Sequence, residues 1–326
     1  MASKDVLKHG ENYVPTINDS ESSQFGAYET YSRDKIDTLV KSPGVTAFGY
    51  DWSGRKISCE GDSHVANVNT GFPAYLAETL GAQTINIAVP GVPIMGDYPG
   101  KAHDFRRRLA KIPADVDLIY IQGDSNAIST NVNDLNSTDI STWGGRWNVA
   151  INAIKKSFPT VPLFLVADYP HRGVDMDRTW HYAVQFERTA VRYGATYICL
   201  GKDIGFAMNY AAKVWGLTET DNGHCNNESM KIWGDYIARR ILETKPPKWL
   251  GYDTIAIDAT ATVAVGATTD IGYTITGDQS IQWTSDNMDV ACVMGGTVYG
   301  MAAGTATITA KTRSGKTATC TVTVAA

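Results

Sequence analysis

Between residues 56 and 243 the chain alternates two kinds of segment, and no other feature restricts its fold as much. Short apolar and β-branched runs occur at 56–60, 84–89, 117–122, 162–168 and 196–200. Amphipathic stretches follow them at 71–80, 102–111, 146–158, 178–193 and 228–243. Runs that stay apolar without polar alternation suit strands covered on both faces. Repeated strand–helix units of this kind call for a parallel sheet with helices on both sides. Residues 55–247 are therefore predicted to form a three-layer α/β domain.

The pattern stops at Lys245-Pro246-Pro247-Lys248-Trp249, because a proline pair ends a helix. Beyond it Thr, Val, Ala and Gly dominate. Alternating strand candidates lie at 254–257, 260–265, 271–275, 281–284, 290–293, 305–311 and 317–324, separated by turn residues. Short strands at this spacing predict a small β-sandwich over 253–326, folding as a module separable from the α/β domain. Residues 1–54 are polar, with turn formers at Asn18-Asp19-Ser20 and Ser42-Pro43-Gly44. They read as an irregular arm: either a wrapping terminus or a segment that docks to another protein.

Composition narrows the function. The 326 residues carry 29 basic and 34 acidic side chains, a net charge of −5. The densest basic cluster is Arg106-Arg107-Arg108, too short to suggest nucleic-acid binding. No stretch approaches the ~18 apolar residues of a membrane span. The first thirty residues contain no apolar core of a secretory signal, so none is expected there. The five cysteines show neither a C-x-x-C pair nor zinc spacing. Cys59 and Cys199 read as buried thiols. Cys292 and Cys320 sit in strand-like runs, where a disulfide would need facing Cβ atoms.

The chemistry concentrates in four places. The first strand runs into Gly61-Asp62-Ser63-His64, and ligands of α/β sheets bind at the carboxyl ends of strands. A serine on a tight glycine turn there is placed as a nucleophile; taken alone it also reads as a turn or helix-cap serine. Asp221-Asn222-Gly223-His224 precedes the last amphipathic stretch. Its D-x-x-H spacing lets the carboxylate reach Nδ1–H of the same imidazole, leaving Nε2 to take a serine proton. Gly91 follows the second strand and allows a backbone N–H to face a reacting oxygen. Asn126 follows the third and offers an amide; with the Ser63 N–H these would form a three-donor oxyanion hole.

On these four ordered blocks, residues 56–246 resemble the SGNH (GDSL-type) hydrolases, and 72–81 is similar to that family's first helix. The resemblance implies a flavodoxin-like fold and a Ser63–His224–Asp221 esterase without metal or cofactor, of a kind that often acts on O-acetylated glycans or lipids. The third block departs from the family's Gly-x-Asn-Asp, reading Gly123-Asp124-Ser125-Asn126. Either Asn126 or Ser125 can occupy the donor position, and Asn126 is expected. His64 replaces a common leucine. Residues 253–326 resemble bacterial Ig-like domains of group 2, carried by Ile281–Asn287, Gly295–Gly300, Gly304–Ala310 and the closing Thr317–Val324 run. Such domains occur in surface adhesins and phage virion proteins.

The expectation is a serine esterase that removes O-acyl groups, acetyl first, from a bacterial surface polysaccharide. It would sit in a phage tail fibre or other virion appendage, contacting other virion proteins, as a homo-oligomer. A secreted or cell-surface location is the alternative. A non-catalytic virion protein that binds glycan on the same scaffold is the competing function. Asp124 and His171 are candidate substrate contacts, each also readable as a plain loop residue. Trp143, Trp147 and Trp180 lie in helical patterns, which favours core packing over a sugar platform.

Overall fold

The computed structural model describes residues 49–66, 72–92, 104–123, 136–167, 176–204 and 226–326. In the first part, strand β1 (Lys56–Glu60) leads into helix α1 (Ser63–Ala66), then α2 (Phe72–Leu80) and β2 (Gln83–Asn86). Next come α3 (Phe105–Leu109), β3 (Leu118–Gln122), α4 (Trp143–Ser157) and β4 (Leu163–Ala167). The series ends with α5 (Met176–Tyr193), β5 (Thr196–Cys199), α6 (Leu200–Ile204) and α7 (Asn227–Leu242). The five strands form one sheet in the order β2-β1-β3-β4-β5, and every pairing is parallel. This is the flavodoxin-like order, with its topological switch point between β1 and β3.

Successive side chains of a strand point to opposite faces, and this sheet separates them into two cores. Ile119, Ile121, Leu163 and Leu165 join Trp147 and Phe186 on one face. Leu118, Tyr120, Phe164 and Val166 join Leu76 of α2 and Trp233 of α7 on the other. β3 and β4 are buried along their whole length, which accounts for their unbroken apolar runs. Trp143 and Trp147 stack in the first core, with ring centroids 5.8 Å apart, as the core reading expects. Trp52, read as part of the arm, belongs to the second core and donates through Nε1 to the Thr244 carbonyl at 3.0 Å.

The remaining strands are β6 (Asp253–Ile257), β7 (Thr260–Ala264), β8 (Thr268–Asp270), β9 (Tyr273–Gly277) and β10 (Ile281–Ser285). They continue with β11 (Ala291–Met294), β12 (Thr297–Gly300), β13 (Gly304–Thr312) and β14 (Thr317–Ala325). They make sheets of four (β10-β13-β14-β7), three (β11-β12-β8) and two (β6-β9) strands. Alternate residues of β13 and β14, Ala306, Ile308, Ala310, Cys320, Val322 and Val324, form the filling. The sequence reading missed β8 and β12: β8 spans three residues, and β12 follows Gly295-Gly296, which reads as a turn.

The sandwich, expected to be a separable module, shares a core with the α/β domain. Cys292, Met294 and Tyr299 pack into the same core as Phe105, Trp143 and Ile154. Ser280 Oγ donates to the Ala114 carbonyl (2.7 Å) and Gln282 Nε2 to that of Ala110 (2.9 Å). Asp117 accepts from Arg313 Nη2 of the sandwich at 3.0 Å and from Trp249 Nε1 of the connecting segment at 2.6 Å. The Arg313 guanidinium lies 3.8 Å above the Trp249 ring. Truncation after Pro247 strips apolar cover from this shared face, so the shortened chain should aggregate or melt well below the full chain in differential scanning fluorimetry.

Cys292 and Cys320 are both free, as are Cys59 and Cys199. A pairing is excluded by direction: Cys292 faces the shared core and Cys320 the sandwich filling. Burial pushes the Cys292 thiol up to about 11 and raises the other three as well. The thiolate is the reactive form. Iodoacetamide at pH 8 should leave these four unmodified in the native chain and modify all four in urea, as read by peptide mapping.

Candidate active site

β1 is an interior strand, and its carboxyl end lies next to that of β3, where Glu60 pairs with Ile121. The chain turns there through Gly61. A Cβ on Gly61 would stand 2.8 Å from Val65 Cβ and 3.0 Å from the Gln122 carbonyl oxygen, so no side chain fits. Asp62 then caps α1. Its Oδ1 accepts the His64 N–H (3.0 Å), and its carbonyl accepts those of Val65 (3.1 Å) and Ala66 (2.9 Å). Aspartate is among the best residues for this position. Ser63 is thus the first residue of α1, half-buried at the end of an interior strand.

The loop after β2 is tied to this turn. Asn86 Nδ2 donates to the Val65 carbonyl (2.8 Å), and Asn86 Oδ1 accepts the Ala88 N–H (3.1 Å). Beyond β2 the Ile87 N–H still donates to the Cys59 carbonyl at 2.9 Å. The Val89 N–H then donates to the Gly61 carbonyl at 3.1 Å. Two residues on, Gly91 adopts φ +71°, the left-handed conformation that glycine takes without penalty. The structure so brings together Ser63 and the Gly91 loop. Asn126, Asp124, His171, Asp221 and His224 lie outside the described residues.

His64 is 1% exposed, its ring centroid 5.7 Å from that of Trp233 and its Nδ1 3.3 Å from Asp62 Oδ1. It fills the position after the serine as a packing residue against α7. Cys59, two residues before Gly61, has its thiol raised by burial, which makes it a poor competing nucleophile. Among the described residues no group of His, Cys, Asp and Glu could hold a metal ion, and no helix is long and apolar enough to cross a membrane.

Sequence reasoning missed one feature of the site. Glu60, 1% exposed, pairs with Arg108, 2% exposed. Arg108 Nη2 also donates to the Gly61 carbonyl at 2.9 Å. A charged residue closing an otherwise apolar strand was the available signal, since a buried carboxylate calls for a cationic partner.

A flavodoxin-ordered α/β domain with a candidate nucleophile at its first strand end, fused to an Ig-like sandwich, is the class of protein defined here. Residues 253–322 match the bacterial Ig-like domain (group 2). A comparison with the curated proteins found no match. Among solved structures, the chain is similar to a protein from Lactobacillus plantarum at 19% identity and a TM-score of 0.51, over 57% of this chain and 95% of that one. That likeness is one of fold. Others include a carbohydrate acetylesterase from Sinorhizobium meliloti (14% identity, TM-score 0.41, 57% of this chain and 98% of that one). An acetylxylan esterase from Geobacillus stearothermophilus is similar at 15% identity and a TM-score of 0.40, over 59% and 95% of the two chains.

Proposed function

We propose that the chain is an SGNH-type serine esterase that removes O-acyl groups, acetyl in the first instance, from a bacterial surface polysaccharide, as part of a phage virion appendage. The observation that carries the reading is the setting of Ser63. It opens a helix at the carboxyl end of an interior parallel strand, behind a glycine that admits no side chain, with the Gly91 loop bonded to the same turn. In this mechanism Ser63 Oγ attacks the acyl carbon. His224 takes the serine proton and returns it to the leaving sugar hydroxyl, while Asp221 holds the imidazole tautomer. The Ser63 and Gly91 N–H groups and the Asn126 amide face the oxyanion. Water then releases the acyl group by the same route. The position of α7 supports the role of His224: the helix begins at Asn227, and its Trp233 already lies against His64 beside the nucleophile.

Peptide mapping after treatment with a fluorophosphonate tests the nucleophile. Ser63 should carry the label; an unlabelled Ser63 in folded protein would leave the non-catalytic glycan-binding reading. Acetate release from an O-acetylated capsular polysaccharide, with the de-O-acetylated polymer as control, tests the substrate class. Immunogold labelling of purified phage particles tests the virion setting, and label confined to host membranes would overturn it.

The third block has its own expected result. Asn126→Ala should lower kcat by about 10²–10³, the usual loss on removing one oxyanion donor. KM should move little, because that bond strengthens in the transition state. Ser125→Ala should change kcat less than about tenfold, since a rotating hydroxyl is a less preorganised donor than an amide. Reversed results would assign the donor position to Ser125.

A further inference from the structure

Three consecutive arginines on α3 reach three different places. Arg108 holds the nucleophile turn, through Glu60 and through the Gly61 carbonyl at 2.9 Å. Arg107 Nη2 donates to the Met288 carbonyl at 3.2 Å and pairs with Asp289, both in the Ig-like domain. Arg106, 2% exposed, is gripped by Asp104 (Nε to Oδ1 2.9 Å, Nε to Oδ2 3.1 Å), and its guanidinium lies 5.0 Å from the Tyr299 ring centroid. Side chains one residue apart on a helix diverge by about 100°, so this single short element touches both domains. The Ala110 carbonyl at its end accepts from Gln282 of the sandwich.

We propose that α3 makes the Ig-like domain a positioning element of the hydrolase site, with Arg108 as the positioning residue that sets the Gly61–Ser63 backbone. The proposal rests on the esterase reading for its kinetic consequence but not for its structural one. α3 is five residues long, too short to hold its place by its own hydrogen bonds. Its location is set by what its side chains grip. On one side that is the sandwich; on the other it is Glu60 and the carbonyl immediately before Asp62 and Ser63, with Phe105 between them in the shared core. An outward shift of α3 would carry Arg108 away from the Gly61 carbonyl, which also accepts the Val89 N–H of the Gly91 loop at 3.1 Å, and would loosen the turn that carries Ser63.

The test uses the full chain, with Tyr299→Leu to remove the ring beside Arg106 and Arg107→Met to remove the Asp289 and Met288 ties. Hydrogen exchange by mass spectrometry reads peptides covering 57–66 and 288–300. Both variants should accelerate exchange in 57–66, a segment neither substitution touches. With p-nitrophenyl acetate, kcat should fall about 2- to 30-fold, the range expected for coupling between separated sites, with KM within about twofold. Arg107 is partly exposed, so its variant decides the matter if Tyr299→Leu does not fold. Loosening of 288–300 with 57–66 unchanged overturns the coupling. Faster exchange of 57–66 in the variants, together with a wild-type chain that hydrolyses no ester, retains the coupling and removes the esterase reading.

Discussion

Ser63→Ala is expected to lower kcat for ester hydrolysis by about 10⁶, the loss that follows removal of a triad nucleophile. The residual rate would come from the oxyanion donors, which act without the serine. Folding should be untouched, because the cap of α1 is Asp62 and the Ser63 side chain is only half-buried. Alanine also suits a helical first turn. The variant should therefore melt within a few degrees of wild type and keep any affinity for glycan. Full turnover in the purified variant would remove Ser63 from the chemistry. Loss of the melting transition would instead identify Ser63 as structural.

Arg108→Met is expected to destabilise the chain by about 3–5 kcal/mol in urea unfolding, since removing one partner leaves a buried charge uncompensated. Both partners are almost fully buried, so solvent screening offers little relief. A domain's net stability is only about 5–15 kcal/mol, which makes this a large fraction. The double variant Glu60→Gln/Arg108→Met should recover most of the loss, because the orphaned carboxylate is then gone. Little change in the single variant, or no recovery in the double, would show that Glu60 is not the group Arg108 neutralises.

How far the sequence could be read follows from the range of each signal. Five of the α/β strand runs and five of the helical stretches appear in place, with ends moved by a few residues. β8 and β12 were illegible because three or four residues beside glycines carry no periodicity. His64 looked like a departure from a catalytic pattern, and its contact with Trp233 makes it a packing residue.

Residue types and spacing determined the parallel α/β sheet, the β-sandwich and the break at Pro246-Pro247, since the period of each segment is written in its own residues; the candidacy of Ser63, Asp221 and His224 came from the order of separate blocks along the chain. The tertiary structure decided how the sandwich is seated and what the three arginines are for. Arg108 reaches back 48 positions to Glu60, while Arg107 reaches forward 182 to Asp289. A run of like charges in sequence reads as one patch. In the fold, helical divergence sends each guanidinium to its own acid or aromatic ring, and for the buried Arg106 and Arg108 that partner is obligatory.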